Sequence, residues 1–287
     1  MRLAATIILY YPDNQLLSNI QSYISDIEFL LIFDNSPTNA VSSIFENDPK
    51  YRYHWDGNNE GIAKRLNQAI EICEKEDVSY LLTMDQDSSF NNNDLKVYKN
   101  FVKNEIKHES ISMFGIRYYA NDDKTENQTI YDKILITSGS IINLKVAISI
   151  NGFDENLFID GVDTEFCLKS FKNGFKTVFY QQIYLRHNLG DEKNITIPFL
   201  KKRTRKIHNP LRLYYIVRNY LYLRKQYRNL HSKINLPDLI NELKNCLFYG
   251  GQKIEYLRAI LMAIKDANRS QLGKLNNKYA FKLNNRI

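Results

Sequence analysis

Two carboxylates one residue apart close an apolar run at Leu81-Leu82-Thr83-Met84-Asp85-Gln86-Asp87-Ser88. On a strand, residues i and i+2 point to the same side, and just past its end a turn can aim both at one ligand. Hard divalent cations take oxygen donors, with Mg²⁺ commonly held by one or two carboxylates plus substrate phosphates. The competing reading is plain solvation of a strand end, since Asp and Ser are ordinary turn formers. A second carboxylate, Asp34, ends the apolar stretch Glu28–Phe33 in the same manner. Asp160, Asp163 and Glu165 crowd the start of an amphipathic stretch. Capping and the helix dipole already favour acids there, so each has a structural explanation beside a catalytic one. His187 follows a strand pattern and opens a Gly-containing loop. Its imidazole could complete a carboxylate site for Mn²⁺ or a similar ion.

The elements that must carry these groups alternate. Residues 3–11 are rich in β-branched and aromatic side chains and read as a buried first strand. Apolar residues at helical spacing span Leu16–Ile27. The nearly continuous apolar run 28–33 reads as a parallel strand covered on both faces. Tyr51–Trp55 predicts a third strand, the turn Asp56-Gly57-Asn58-Asn59-Glu60-Gly61 follows it, and Ile62–Lys75 predicts a helix. Tyr80–Met84 is the fourth strand. This is the alternation of a doubly wound α/β sheet. Such sheets bind ligands outside the carboxyl ends of their strands, where Asp34 and the Asp85/Asp87 pair fall. Further on, Asn93–Ile106 predicts a helix, Ile111–Tyr118 a strand and Asn121–Asn127 a loop. Ile134–Ile142 is an apolar run broken by Gly139. That Gly marks either a bulge or the close approach of a ligand or another backbone. Phe175–Tyr180 and Ile183–Leu185 read as strands.

The bulk properties narrow the class. A chain of 287 residues with 44% hydrophobic and 25% charged residues is globular rather than disordered. Three separated cysteines, Cys73, Cys167 and Cys246, argue against a disulfide framework and a thiolate zinc site. No stretch approaches 18 uninterrupted apolar residues, so no membrane span is expected. The N-terminal apolar stretch ends at the turn Pro12-Asp13-Asn14 without a cleavage pattern and is not read as a leader. The expectation is a cytoplasmic protein, peripheral at most on the inner face of the cell membrane.

The net charge of +7 is unevenly spread. Residues 1–199 hold 19 Lys+Arg against 28 Asp+Glu, a balance of −9, whereas residues 200–287 hold 20 against 4, a balance of +16. The division suggests a catalytic body, 1–205, and a basic helical region, 206–287, facing an anionic partner. Pro210 suits the first turn of a helix. Leu211–Tyr227 interleaves Leu213, Ile216, Val217, Tyr220 and Leu223 with Arg212, Arg218 and Arg224. That mixture suits a headgroup interface or packing against the body. Helices follow near 236–248 and 253–267, and the last residues, Asn276–Ile287, read as frayed.

Taken in order, five blocks resemble glycosyltransferase family 2, inverting nucleotide-sugar transferases of the GT-A fold. They are Asp34-Asn35-Ser36, Asn59-Glu60-Gly61-Ile62-Ala63 through Asn67, Asp85-Gln86-Asp87-Ser88, Gly152-Phe153-Asp154-Glu155 with Phe158–Leu168, and His187. The Asp-Gln-Asp-Ser form and Val162–Phe166 look closest to bacterial rhamnosyltransferases of surface-polysaccharide synthesis. The resemblance covers roughly residues 3–225 and implies a Rossmann-like, mostly parallel central sheet with helices on both faces. It implies that Asp34 and Asn35 meet the donor base, that Asn59, Gly61 and Asn67 form the nucleotide-binding turn, and that Asp85 lies near ribose and metal. Asp87 and His187 would hold Mg²⁺ or Mn²⁺ against the diphosphate, and Asp163 would be the general base. Val162 stands where the family carries Glu, so Asp160 and Glu165 stay open as alternatives. The implied donor is dTDP-rhamnose, or another nucleotide sugar such as a UDP-hexose or UDP-galactofuranose. The acceptor would be a growing surface polysaccharide or lipid-linked oligosaccharide, with an anionic membrane surface as a further partner.

Two other classes fit less of the chain. An Asp-nucleophile phosphohydrolase would use Asp85 and Asp87, but its pair follows the first strand and leaves Asp34 and Asn59–Asn67 without a task. A nucleic-acid-binding protein would rest on basic charge alone.

Overall fold

The computed structural model describes residues 1–105, 109–118, 129–187, 192–195, 203–276 and 279. The side chains of 187, 192–195, 203–206 and 231 are not included. The expected loop 121–127, the Gly-containing loop after His187 and nearly all of 276–287 lie outside the described residues.

The chain forms two units, Met1–Asp154 with Asp163–Asn188, and Glu155–Val162 with Leu189–Ile287. In the first, β1 (Leu3–Leu9), β2 (Leu30–Asp34), β3 (Tyr51–Trp55) and β4 (Tyr80–Asp85) run parallel in the order β3-β2-β1-β4. Between them lie α1 (Leu16–Gln21), α2 (Ser42–Phe45) and α3 (Ile62–Lys75). Every residue of β2 is buried, as a strand covered on both faces requires. Then come β5 (Ser88–Ser89), α4 (Asp94–Glu105), β6 (Ile111–Tyr118), β7 (Thr129–Tyr131), β8 (Ser140–Asn143), α5 (Leu144–Ser149), α6 (Val162–Lys172) and β9 (Lys176–His187). Antiparallel β8 pairs β4 and β6, β9 runs parallel to β6, and β5 and β7 pair β9. Leu3, Ile7, Leu30, Ile32, Leu82, Phe114 and Ile141 are among the residues of the common core.

Three local expectations change. The helix predicted over 16–27 stops at Gln21 and resumes as a 3₁₀ turn at Ile24–Asp26. Ser22 ends it, because its hydroxyl donates to Asn19 O and accepts from Phe90 N–H. The strands read separately at 175–180 and 183–185 are one strand, β9, whose register against β6 shifts between Ile116 and Arg117. In 134–142 only Ser140–Asn143 is strand. Gly139 sits at φ +71° with its N–H on Thr83 O at 2.8 Å. A Cβ there would come within 3.0 Å of Leu185, so the glycine answers to close packing of neighbouring chain.

The second unit contains the strand pair β10 (Glu192–Ile195) and β11 (Arg203–Lys206), followed by α7 (Pro210–Gln226), α8 (Leu236–Tyr249) and α9 (Lys253–Asn268). Asn209 caps α7 by accepting from Arg212 N–H at 2.8 Å, with Pro210 in the first turn. Leu213, Tyr214, Tyr215 and Val217 of α7 pack with Leu239, Cys246, Tyr256 and Ala259. The sequence leaves α7 open between a headgroup interface and packing; Arg218 is 1% exposed and the helix contributes Leu213, Tyr214, Tyr215 and Val217 to the core of this unit. Buried guanidinium groups need acceptors, and Arg218 finds the carbonyls of Gly273 (2.7 Å), Leu157 (3.2 Å) and Asn156 (3.4 Å). Asn219 beside it donates to the carbonyls of Leu157, Ile159 and Asp160. Together they pin a segment in which Phe158 and Asp160 both take positive φ.

Candidate active site

Strand register brings the first two carboxylates to one edge. Leu9 pairs with Asp34 and Ile8 with Asp85, so the two acids flank the end of β1. Two strand spacings of about 4.8 Å separate their backbones by roughly 10 Å. Gln86 ties this edge together: its side chain accepts from Tyr10 N–H at 2.9 Å and donates to Tyr10 O at 3.2 Å. Asn19 donates to Gln86 O at 3.0 Å. Tyr10 and Tyr11 stand 51% and 62% exposed beside it, their rings 4.7 Å apart. Tyr11 holds φ +48° and donates its N–H to Ser36 Oγ at 2.8 Å. Such backbone strain gathers at functional edges. Both fall in the strand expected over 3–11, but β1 ends at Leu9; nothing in residue type separates a core tyrosine from an exposed one at a strand end.

Asp34 is fully buried. Its two carboxylate oxygens accept from Ser36 N–H at 2.8 Å and from the Tyr53 hydroxyl at 2.7 Å. Burial, then the bond to Asp34, pushes the Tyr53 phenol above its ordinary range. Asn35 is 3% exposed and donates to Gly61 O at 3.2 Å, while its carbonyl accepts from Arg65 Nε at 2.9 Å and from Glu60 N–H at 3.3 Å. Asn59 accepts from Gly61 N–H at 3.0 Å. Gly61 takes φ +81° directly before α3, a conformation open to glycine at little cost. Arg65, 3% exposed and not singled out from sequence, holds this turn from α3 through Asn35, Gln68, Asp56 and Asn58 O. Asn67 pairs in both directions with the backbone of Phe153. A cleft of about 440 Å³ beside this turn is lined by Phe33, Tyr53, Trp55 and Arg65 among others, but not by Asp85, Asp87 or Asp163.

Asp85 is exposed and Asp87 half-buried. The turn that carries them is anchored by Ser138, whose hydroxyl accepts from Asp85 N–H at 3.1 Å and lies 2.9 Å from Ser88 Oγ. Ser88 pairs with His187 across β5 and β9, which brings the backbone of His187 beside the Asp87 turn. The imidazole lies outside the described side chains. Tyr118 donates its hydroxyl to Ser138 O at 2.6 Å. Burial raises its pKa first, and the negative charges of Asp85 and of Asp163 raise it further. The two carboxylates therefore act on one phenol.

The three acids near α6 differ. Glu165 is 3% exposed and pairs with Lys169 at 3.1 Å. Asp160, on the segment counted with the second unit, pairs with Arg212 at 3.2 Å. Asp163 is half-buried in the first turn of α6 and accepts from Thr164 N–H at 2.7 Å.

The donor set at Asp85, the last residue of β4, and Asp87, in the turn after it, is two carboxylates and fits a hard divalent cation by chemistry. Among the described residues no three His, Cys, Asp or Glu side chains converge as a cage. Phosphate and water commonly supply further ligands to such a cation.

A mostly parallel sheet with acids at the carboxyl ends of β2 and β4 and a further acid opening α6 is the GT-A class of fold. Solved structures of S. aureus TarS share it. Residues 1–349 in complex with UDP-GlcNAc match at a TM-score of 0.55 and 14% identity, over 94% of this chain and 81% of that one. A longer TarS chain matches at 0.52 and 15% identity over all of this chain and 46% of that one, so the present chain spans less than half of it. The sequence profile described as "Glycosyl transferase family 2" matches residues 14–183, more than half of the chain. The chain belongs to that family and is a glycosyltransferase. It is also 29% identical to the dTDP-rhamnosyl transferase RfbF of Shigella flexneri, over 94% of this chain and 96% of that protein.

Proposed function

We propose that the enzyme transfers one sugar, with inversion, from a nucleoside diphosphate donor to a hydroxyl of a growing surface polysaccharide or lipid-linked glycan. The proposed donor is dTDP-rhamnose, supported by a dTDP-rhamnosyl transferase similar over nearly the whole length. The observation that carries the reading is the strand register, which sets Asp34 and Asp85 on either side of the end of β1 and brings the backbone of His187 beside the Asp87 turn. These groups gather at the carboxyl edge, where α/β sheets bind their ligands.

In this mechanism Asp163 accepts the proton of the acceptor hydroxyl as its oxygen attacks the anomeric carbon. The bond from that carbon to the diphosphate oxygen breaks, and the nucleoside diphosphate leaves with the electron pair. One displacement inverts the centre and needs no covalent nucleophile. Asp163 holds the place that the resemblance gives to the base; the alternatives are Glu165, 3% exposed and paired with Lys169, and Asp160, paired with Arg212. Asp87, with Asp85 and His187, would hold Mg²⁺ or Mn²⁺, which when bound stabilises the charge gathering on the leaving diphosphate. Tyr10 and Tyr11 offer exposed rings on which a base can stack. Asp34, Asn35, Asn59, Gly61 and Asn67 form the framework of the nucleotide end, Asp34 by fixing Tyr53 and Ser36.

A thermal-shift series with Mn²⁺ and dTDP-rhamnose, UDP-hexoses, UDP-galactofuranose and GDP-sugars tests the donor. Selective stabilisation by dTDP-rhamnose is expected. A larger shift with a UDP-sugar would reassign it.

A further inference from the structure

Helix α9 has two unlike faces. Tyr256, Ala259, Ala263 and Ala267 are buried. On the other side Ile254, Leu257, Leu261 and Ile264 are 62%, 52%, 68% and 40% exposed. At about 100° per residue these four fall within an arc of roughly 80°. Arg258, Lys265 and Arg269 border one side of that arc and Lys253 the other. The acids of the helix lie away from it, and Asp266 accepts the Tyr214 hydroxyl at 2.7 Å. None of the four bordering cations forms an ion pair with a described residue. Single exposed leucines are ordinary. An apolar stripe edged by cations that pair with no described residue is the kind of surface that marks an interaction site.

We infer that the outer face of α9 lies on an anionic lipid bilayer, its apolar side chains at the headgroup–acyl boundary and its cations against lipid phosphates. An apolar face beside Lys and Arg is the pattern of a helix that lies in the interface plane. Basic residues at such a surface gain from anionic lipid within a Debye length. Among the described residues no helix is long and apolar enough to cross a membrane, so α9 lies along the surface. The charge also separates this occupant from a second copy of the chain: residues 200–287 carry 20 Lys+Arg against 4 Asp+Glu. Two such faces repel each other, whereas an anionic bilayer attracts either one. The inference is independent of the sugar transferred and adds the surface at which the enzyme works.

Co-sedimentation of the full chain with phosphatidylglycerol–phosphatidylcholine vesicles tests it, with phosphatidylcholine vesicles as control. The wild type should pellet with the anionic vesicles at low salt and be released as NaCl rises. Leu257→Glu/Leu261→Glu should lower the bound fraction at least tenfold while keeping the donor-induced thermal shift. Leu261→Trp, which keeps the face apolar, should show a blue shift in emission when anionic vesicles are added. An absence of wild-type binding, equal binding by the double variant, or an unshifted Leu261→Trp spectrum would each overturn the inference. So would a wild-type dimer in light scattering that the double variant makes monomeric, with no lipid binding, because the face would then join two copies.

Discussion

Asn67 and Phe153 hold one another in both directions: Asn67 Nδ2 donates to Phe153 O at 3.0 Å, and Phe153 N–H donates to Asn67 Oδ1 at 2.8 Å. Gly152 makes this possible. It takes φ +57°, and a Cβ at that position would stand 2.4 Å from Asn67 Oδ1. Two sequence blocks 86 residues apart are thus one brace between α3 and the turn after α5. Asn67→Ala should destabilise the protein by about 1–3 kcal/mol, the cost of unsatisfied backbone groups. Gly152→Ala should cost about as much or more, through strain at positive φ added to the clash. Thermal unfolding with donor binding measured in parallel checks both.

Arg65 supports the Asn59–Gly61 turn through a planar group that reaches four acceptors. Lysine offers a point charge without that geometry. Arg65→Lys should lower the melting temperature and weaken donor binding by about tenfold, about 1.4 kcal/mol. Calorimetric titration with the donor measures this.

The buried pair Glu165–Lys169 gives a contrast with Asp163. Glu165→Gln leaves the Lys169 cation without its counter-charge and should cost about 2 kcal/mol of stability. Turnover per folded molecule should stay close to wild type, because Glu165 is given no part in the proton transfer. Denaturant unfolding alongside an activity assay separates the two effects.

The parallel strands, their order of acids and the three C-terminal helices were legible in the sequence, because long apolar runs and helical spacing leave few alternatives. The positions of Asp34 and Asp85 at strand ends were legible for the same reason. What the sequence hid was which polar groups face inward. Asn35, Asn59 and Asn67 are types that turns and ligands use equally, and only the fold reveals their partners: Arg65 for Asn35, the Gly61 N–H for Asn59 and the backbone of Phe153 for Asn67. The sequence does not set Arg218 apart from Arg212 and Arg224 on α7, because an arginine on an amphipathic helix is usually solvated. Here the carbonyls of 156, 157 and 273 satisfy it. Gln86 counts in the sequence only as part of the Asp-Gln-Asp-Ser block; its clamp on Tyr10 is hidden there, since it joins residues 76 apart.

Metal removal tests the donor end. EDTA should stop turnover, and Mn²⁺ or Mg²⁺ should restore it. Asp87→Asn should lose the extra thermal stabilisation that Mn²⁺ gives in the presence of dTDP, with the metal-free melting temperature little changed. Turnover unaffected by chelation would remove the role given to Asp87.

The assignment of Asp163 is tested most directly by measuring transfer and donor binding in the same Asp163→Asn preparation. The substitution keeps the size and one acceptor oxygen for Thr164 N–H but cannot take a proton. The predicted result is a donor dissociation constant within about twofold of wild type and a transfer rate lower by about 10²–10⁴-fold, the usual contribution of a general base. Transfer at the wild-type rate by Asp163→Asn would contradict the account.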